Sequence, residues 1–300
     1  MSSSGSSQMS RPYDHSIEPI SGFRNQAFKA WHAHCFVHRP VHMESKFRWD
    51  AVPYNVFQNL EWRGWTDHLT SISPCRPAMV REFYSSLIPI NEGRCHVFLR
   101  GKVIIISPEY LAQFMNTREE PWFQCPWSPP SIPSFHEVHA ALTLPHTPVH
   151  PRLIFVKDLH TCPRYMDVIA RLNICPSPHT ESFGHHHGAI VMAMCNPNML
   201  VCLPTLMFRL ICKAAASRDP ENELPFGSLI TRLCLANHVP RKRGEVVTEN
   251  CQVLNSTSFL FSESLSEERA REEADASDEE ESDEDGLPPG FFPGSCSGGF

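Results

Sequence analysis

The stretch Ala189-Ile-Val-Met-Ala-Met194, followed after Asn196-Pro-Asn198 by Pro204-Thr-Leu-Met-Phe-Arg-Leu-Ile-Cys-Lys-Ala-Ala-Ala216, decides the fold class. The first run is almost wholly apolar. The second places Leu206, Leu210 and Lys213 on successive turns, with Met207, Ile211 and Ala214 beside them. A helix that is apolar nearly all round sits inside a core rather than on its surface. Asn196 precedes a proline, which disfavours the helical region and separates the two helices. The chain therefore reads as helices packed on helices.

Reading outward, Leu224-Pro-Phe-Gly-Ser-Leu-Ile-Thr-Arg-Leu-Cys-Leu235 predicts a last helix that starts at Ser228 and turns Leu229, Ile230 and Leu233 inward, with Pro240 closing the ordered chain. Upstream, Met79, Val80, Phe83 and Leu87 share one face of an amphipathic helix that Pro77 opens, with Arg81, Glu82 and Ser85 on the other side. Phe28, Trp31 and Cys35 fall at helical spacing, and a short helix is expected from Val56 to Trp62 before a turn at Gly64. His96-Val-Phe-Leu-Arg-Gly-Lys-Val-Ile-Ile-Ile106 reads as a β-hairpin turning at Arg100-Gly101. Ser107-Pro-Glu has the chemistry of a capped helix start, and Ser134-Phe-His-Glu137 is a capping box. A helix is also expected over 164–172. The segments 120–133, 143–160 and 173–184 read as connectors.

Charge divides the chain unevenly. Residues 263–285 carry 13 acidic and 2 basic side chains, whereas 1–262 carry 20 acidic and 24 basic ones and all 17 histidines. The run Asp278-Glu-Glu-Glu-Ser-Asp-Glu-Asp285 repels itself and lacks the apolar area to offset ordering entropy. It reads as part of a disordered acidic tail. Such a tail is expected to solubilise the chain; the alternative is that Phe259, Phe261, Phe291 and Phe292 anchor it on a basic protein partner. The N-terminus lacks the apolar core of a signal peptide, and no run is long enough for a membrane span. An intracellular protein is expected, with nucleus and cytoplasm both open and no membrane partner. The 12 cysteines show no C-x-x-C pairing and read as small hydrophobes.

The chemistries of mobile-element enzymes can be tested one at a time. Phosphoryl transfer by two metal ions needs three converging carboxylates. The body has only Asp14, Asp50, Asp67, Asp158, Asp167 and Asp219 as aspartates, none within a clear strand. A metal site could be sought among His185, His186, His187, Cys175 and His179. Adjacent helical residues point about 100° apart, so three consecutive histidines cannot face one ion, and surface or capping roles are expected. No nucleophile motif or phosphate loop occurs, no catalytic residue is assigned, and no cofactor is expected. Trp62, Trp65 and Phe83 read as core. The cluster Arg241-Lys-Arg243 is the one candidate for nucleic-acid contact or nuclear import.

Three blocks together carry a family resemblance. They are Glu61-Trp-Arg-Gly-Trp65 with Met79-Val-Arg-Glu-Phe-Tyr-Ser-Ser-Leu87; Val97-Phe-Leu-Arg-Gly-Lys-Val103 with Ile106-Ser-Pro-Glu109; and the aliphatic helices around 188–215 closed by Leu224–Cys234. In this order and spacing, over about 25–240, the chain resembles the plant transposon protein domain of retroelement-derived proteins. The resemblance implies a mainly helical domain, often with a charged tail, and brings no catalytic or metal residues with it. The sequence thus predicts a mainly α, multi-helix globular domain over 21–242 with one small β-hairpin. A disordered arm is expected at 1–20 and a disordered acidic tail at 243–300. The expected role is a structural or protein-interaction module without catalytic activity. The alternatives are a nucleic-acid-associated protein using 241–243, and a metal-dependent transposase or nuclease.

Overall fold

The computed structural model describes residues 18–90, 93–121, 124–125, 131–177, 179–249 and 253–254. All belong to one compact unit, Met1–Phe259; a second unit, Leu260–Phe300, holds no described residue. The expectations of disorder for residues 1–17 and 255–300 lie outside the described residues, whereas 243–249, expected to begin the disordered tail, pack on the body.

Among these residues the chain forms ten α-helices: α1 Gln26–Cys35, α2 Tyr54–Trp62, α3 Thr66–Thr70, α4 Pro77–Ser86, α5 Pro108–Met115, α6 Phe135–Leu142, α7 Thr161–Ile169, α8 His185–Cys195, α9 Leu203–Ala216 and α10 Gly227–Ala236. None is long and apolar enough to cross a membrane. The strands are short: β1 Lys46–Phe47, β2 Leu87–Pro89, β3 Cys95–Leu99, β4 Lys102–Ile106, β5 Ile154–Phe155, β6 Ser182–Phe183 and β7 Val253–Leu254. They make a three-stranded antiparallel sheet in the order β2-β3-β4 and two two-stranded pairs, β1·β7 and β5·β6.

The mainly α class holds, and the apolar helices behave as their composition requires. Ile190, Met194, Leu203, Met207 and Ile211 are fully buried. Helix α8 packs between α6 and α7, and α9 against α5 and α4. Helix α4 also meets α1, α10 and β3. Local signals act where expected. Ser107 caps α5 by accepting from the Tyr110 N–H, and Ser134 and Glu137 form the reciprocal capping box of α6.

Several expectations are corrected. The hairpin is the outer part of a three-stranded sheet, because Leu87, spaced as the last buried position of α4, leaves the helix and pairs with Val97. Glu82 and Ser85 do not face water; they are 5% and 0% exposed. Trp65 is core, but Trp62 is 58% exposed. Helix α7 starts at Thr161 and ends in a π-helical turn over Ala170–Ile174. The fold also continues past Pro240, with Thr248 bridging to Cys75 and β7 pairing with β1.

Ser228 does not cap α10. The N–H groups of Ser228 and Leu229 both donate, at 2.8 Å, to the carboxylate of Glu44, which is completely buried. Burial pushes that carboxyl up, against the downward pull of these N–H groups. The approach is tight: a Cβ at Gly227 would lie 2.8 Å from Cys75 Sγ and 3.0 Å from the His42 carbonyl. Two arginines serve helix C-termini. Arg63 donates to the carbonyls of Ala193, Asn196 and Met199 at the end of α8. Arg39 donates to those of Ala214, Ser217 and Asn222 at the end of α9.

Replacing Glu44 with Ala orphans two buried N–H groups at a helix N-terminus. The expected loss is about 3 kcal/mol in urea unfolding, with Glu44→Gln losing less because one oxygen still accepts.

Candidate functional site

Two clusters gather the polar residues singled out in the sequence. The first is built on the turn between β3 and β4. Arg100 and Gly101 both take positive φ, 49° and 83°, the geometry of a two-residue hairpin turn. Glycine adopts it freely, whereas Arg100 must be held there. Its N–H donates to the Gly22 carbonyl at 2.8 Å. Its guanidinium donates to both oxygens of Glu82, at 2.7 and 3.1 Å, to both oxygens of Glu245, at 2.5 and 3.2 Å, and to the Pro240 carbonyl at 2.9 Å.

Lys242 completes the cluster by donating to Glu82 at 2.5 Å, and Arg76 by reaching Glu245 at 3.4 Å. The side chains of Arg100, Glu82 and Glu245 are 5%, 6% and 2% exposed. Burial alone would lower the affinity of Arg100 for its proton, but the two carboxylates reverse this and hold it more firmly than usual. Burial likewise pushes the Glu245 carboxyl up, and Arg100 brings it below its ordinary value.

An open cleft of about 410 Å³ lies over this network, lined by Ser21, Gly22, Gly101, Pro240, Arg241 and Lys242. The basic cluster is thereby divided. All three residues are exposed, but Lys242 also pairs with Glu82, and no ion pair engages Arg241 or Arg243 among the described residues.

The second cluster surrounds the three histidines, which occupy the first turn of α8 and diverge as helical geometry requires. His185 is half-buried and bonds the Pro133 carbonyl at 2.7 Å. His186 is exposed. His187 is buried rather than on the surface, and its Nε2 meets Asp167 Oδ1 at 2.9 Å. Asp167, fully buried on α7, also accepts from Arg171 at 2.9 Å, one turn further along.

Burial pushes the His187 imidazole down, but hydrogen bonding to Asp167 and to the nearby Cys175 thiol lifts it to about 9. His179 stays exposed in the segment that precedes β6 and α8. Of the five candidate ligands, only Cys175 and His187 come together. Among the described residues, no three His, Cys, Asp or Glu side chains are grouped so as to hold a metal ion.

The sequence reading missed Glu82, Arg100, Glu245 and Asp167. The i,i+4 spacing of Asp167 and Arg171 was the one local signal available. The partners of Arg100 come from three distant segments, and nothing in spacing announces them.

A family model described as "Putative plant retrotransposon-related domain" matches residues 61–240. No curated protein and no solved structure matches the chain.

Two buried histidines give stability opposite pH dependences. His187, lifted to about 9, contributes fully below pH 6.5 and loses its contribution as pH rises through 9. His68 is fully buried with neither ring nitrogen hydrogen-bonded, and burial and then the Arg232 charge lower it to about 4. Its contribution is present above pH 6.5 and is lost as pH falls toward 4. Urea unfolding across pH should give maximal stability near neutrality. His187→Gln should flatten the alkaline limb, by on the order of 3 kcal/mol. His68→Leu should flatten the acid limb.

Proposed function

Because the chain belongs to the plant retrotransposon-related domain family, we propose that it is a mobile-element-derived structural or protein-interaction module that acts without catalysis. The observation that carries this reading is where the fold places its buried carboxylates. Glu44 holds the N-terminus of α10, Glu82 and Glu245 hold Arg100, and Asp167 holds Arg171 and His187. A carboxylate bound in this way is not available as a metal ligand or a general base. The surface offers contact chemistry instead: Tyr54, Trp62, Val103 and Ile105 are all more than half exposed. Exposed tryptophan and tyrosine side chains suit protein recognition.

In this reading the protein works inside the cell, and the acidic run of 263–285 offers charge to a basic partner. A second reading, association with nucleic acid, draws on the exposure of Arg241, which lines the cleft, and of Arg243. Two unpaired charges predict weak binding with a shallow salt dependence.

Partner capture from plant cells separates the two. Under the first reading, the recovered proteins survive nuclease treatment and fall away when exposed residues such as Trp62 and Tyr54 are changed to Ser. A set of partners indifferent to such changes would refute it. A gel-shift titration on mixed DNA and RNA that shows no complex at low salt removes the second reading.

A further inference from the structure

Strand β4 is an edge of the sheet. The order is β2-β3-β4, and β4 pairs in continuous register with β3 from Lys102↔Leu99 to Ile106↔Cys95. In an antiparallel ladder closed by a two-residue turn, alternate residues bond inward. Lys102, Ile104 and Ile106 therefore face β3 with their backbone groups, and those of Val103 and Ile105 point away from the sheet. Among the described residues, neither makes a backbone hydrogen bond outside the sheet.

The side chains of the same two residues are 51% and 52% exposed, whereas Ile104 and Ile106 are buried. Folded proteins commonly blunt such an edge with proline, a bulge or inward charges. Here the five residues contain no proline, the register has no bulge, and the one charge, Lys102, stands at the end.

That end is where the basic cleft begins. Gly101, the residue before β4, lines the cleft with Arg241 and Lys242. The edge thus presents outward hydrogen-bonding groups and two apolar side chains, followed by positive charge at Lys102 and Arg241. An extended segment with apolar residues on alternate positions and carboxylates at one end complements this sequence of features. Antiparallel addition puts the carboxylates at the C-terminal end of the incoming segment. A nucleic acid could use the charges but not the row of backbone groups, and a second copy pairing β4 on β4 would leave the cleft unused.

We propose that β4 and the adjoining basic cleft form a docking strand for an extended, acidic-ended peptide of a protein partner. This deepens the protein-interaction reading, on which it rests.

The test uses the full-length chain and a fluorescent probe peptide of alternating valine and threonine ending in consecutive glutamates. Anisotropy should show saturable binding that weakens with added salt. Moving the glutamates to the N-terminal end, or N-methylating the alternate amides that would pair with β4, should weaken it at least about tenfold. Lys102→Glu with Arg241→Glu should act similarly, as should Val103→Thr with Ile105→Thr, in chains whose melting is unchanged. The proposal is overturned by absent saturation, by indifference to N-methylation, by stronger binding of single-stranded DNA of equal charge, or by sedimentation showing dimers that the β4 variants dissolve. If the variants leave every captured partner in place, the docking strand is refuted while the interaction reading stands.

Discussion

A helix that ends inside a protein leaves N–H and C=O groups that water cannot reach, and each must find a partner from elsewhere in the chain. In this fold the partners are charged side chains from distant loops, and their signs match the helix dipole. Glu44 serves the N-terminus of α10; Arg63 and Arg39 serve the C-termini of α8 and α9. The arrangement gives meaning to Glu61-Trp-Arg-Gly-Trp65. Gly64 turns at a φ of 68°, Trp65 is buried in the core, and Arg63 stands over both Trp62 and Trp65 while its guanidinium holds the end of α8. Burial lowers Arg63 to about 10, yet it stays charged at neutral pH and its donors remain available.

The same logic governs the hairpin turn. Arg100 occupies a backbone conformation that glycine would adopt more easily, held by two carboxylates and two carbonyl contacts. Those carboxylates come from α4 and from the segment after α10, so one side chain ties the sheet, the central helix and the end of the body together. Buried ion pairs of this kind contribute little net stability against an apolar alternative, but removing one member strands the others. The interior charges are thus held by one another or by the backbone groups of helix ends, while Val103, Ile105, Arg241, Arg243 and Trp62 are among the side chains left exposed.

Much of the architecture was legible because its signals are local. Ser107 and Ser134 cap the helices that their spacing announces, and the apolar period of 206–211 fixes the buried character of α9. The Arg100-Gly101 turn follows from the β-rich runs on either side. The candidate sites were much less legible. Leu87 fits a helical face as well as a strand, and only pairing with β3 decides between them. Trp62 and Trp65 have the same chemistry and opposite exposure. His187 could not be distinguished from His185 and His186 until Asp167 was placed opposite it. Glu82 looks like a solvated residue on an amphipathic helix until Arg100 arrives from the sheet.

The sequence by itself determined the mainly helical class, the helix starts set by proline, serine and the capping box, the hairpin and the family, because each depends on residues within a turn or two of one another. Tertiary structure alone decided which charges are interior, which histidine is buried, how the basic cluster is divided and which strand edge stays open. Those outcomes depend on contacts between segments up to some 180 residues apart, such as Glu44 with Ser228. A charged side chain carries no local mark of whether its partner will be water or the end of a distant helix.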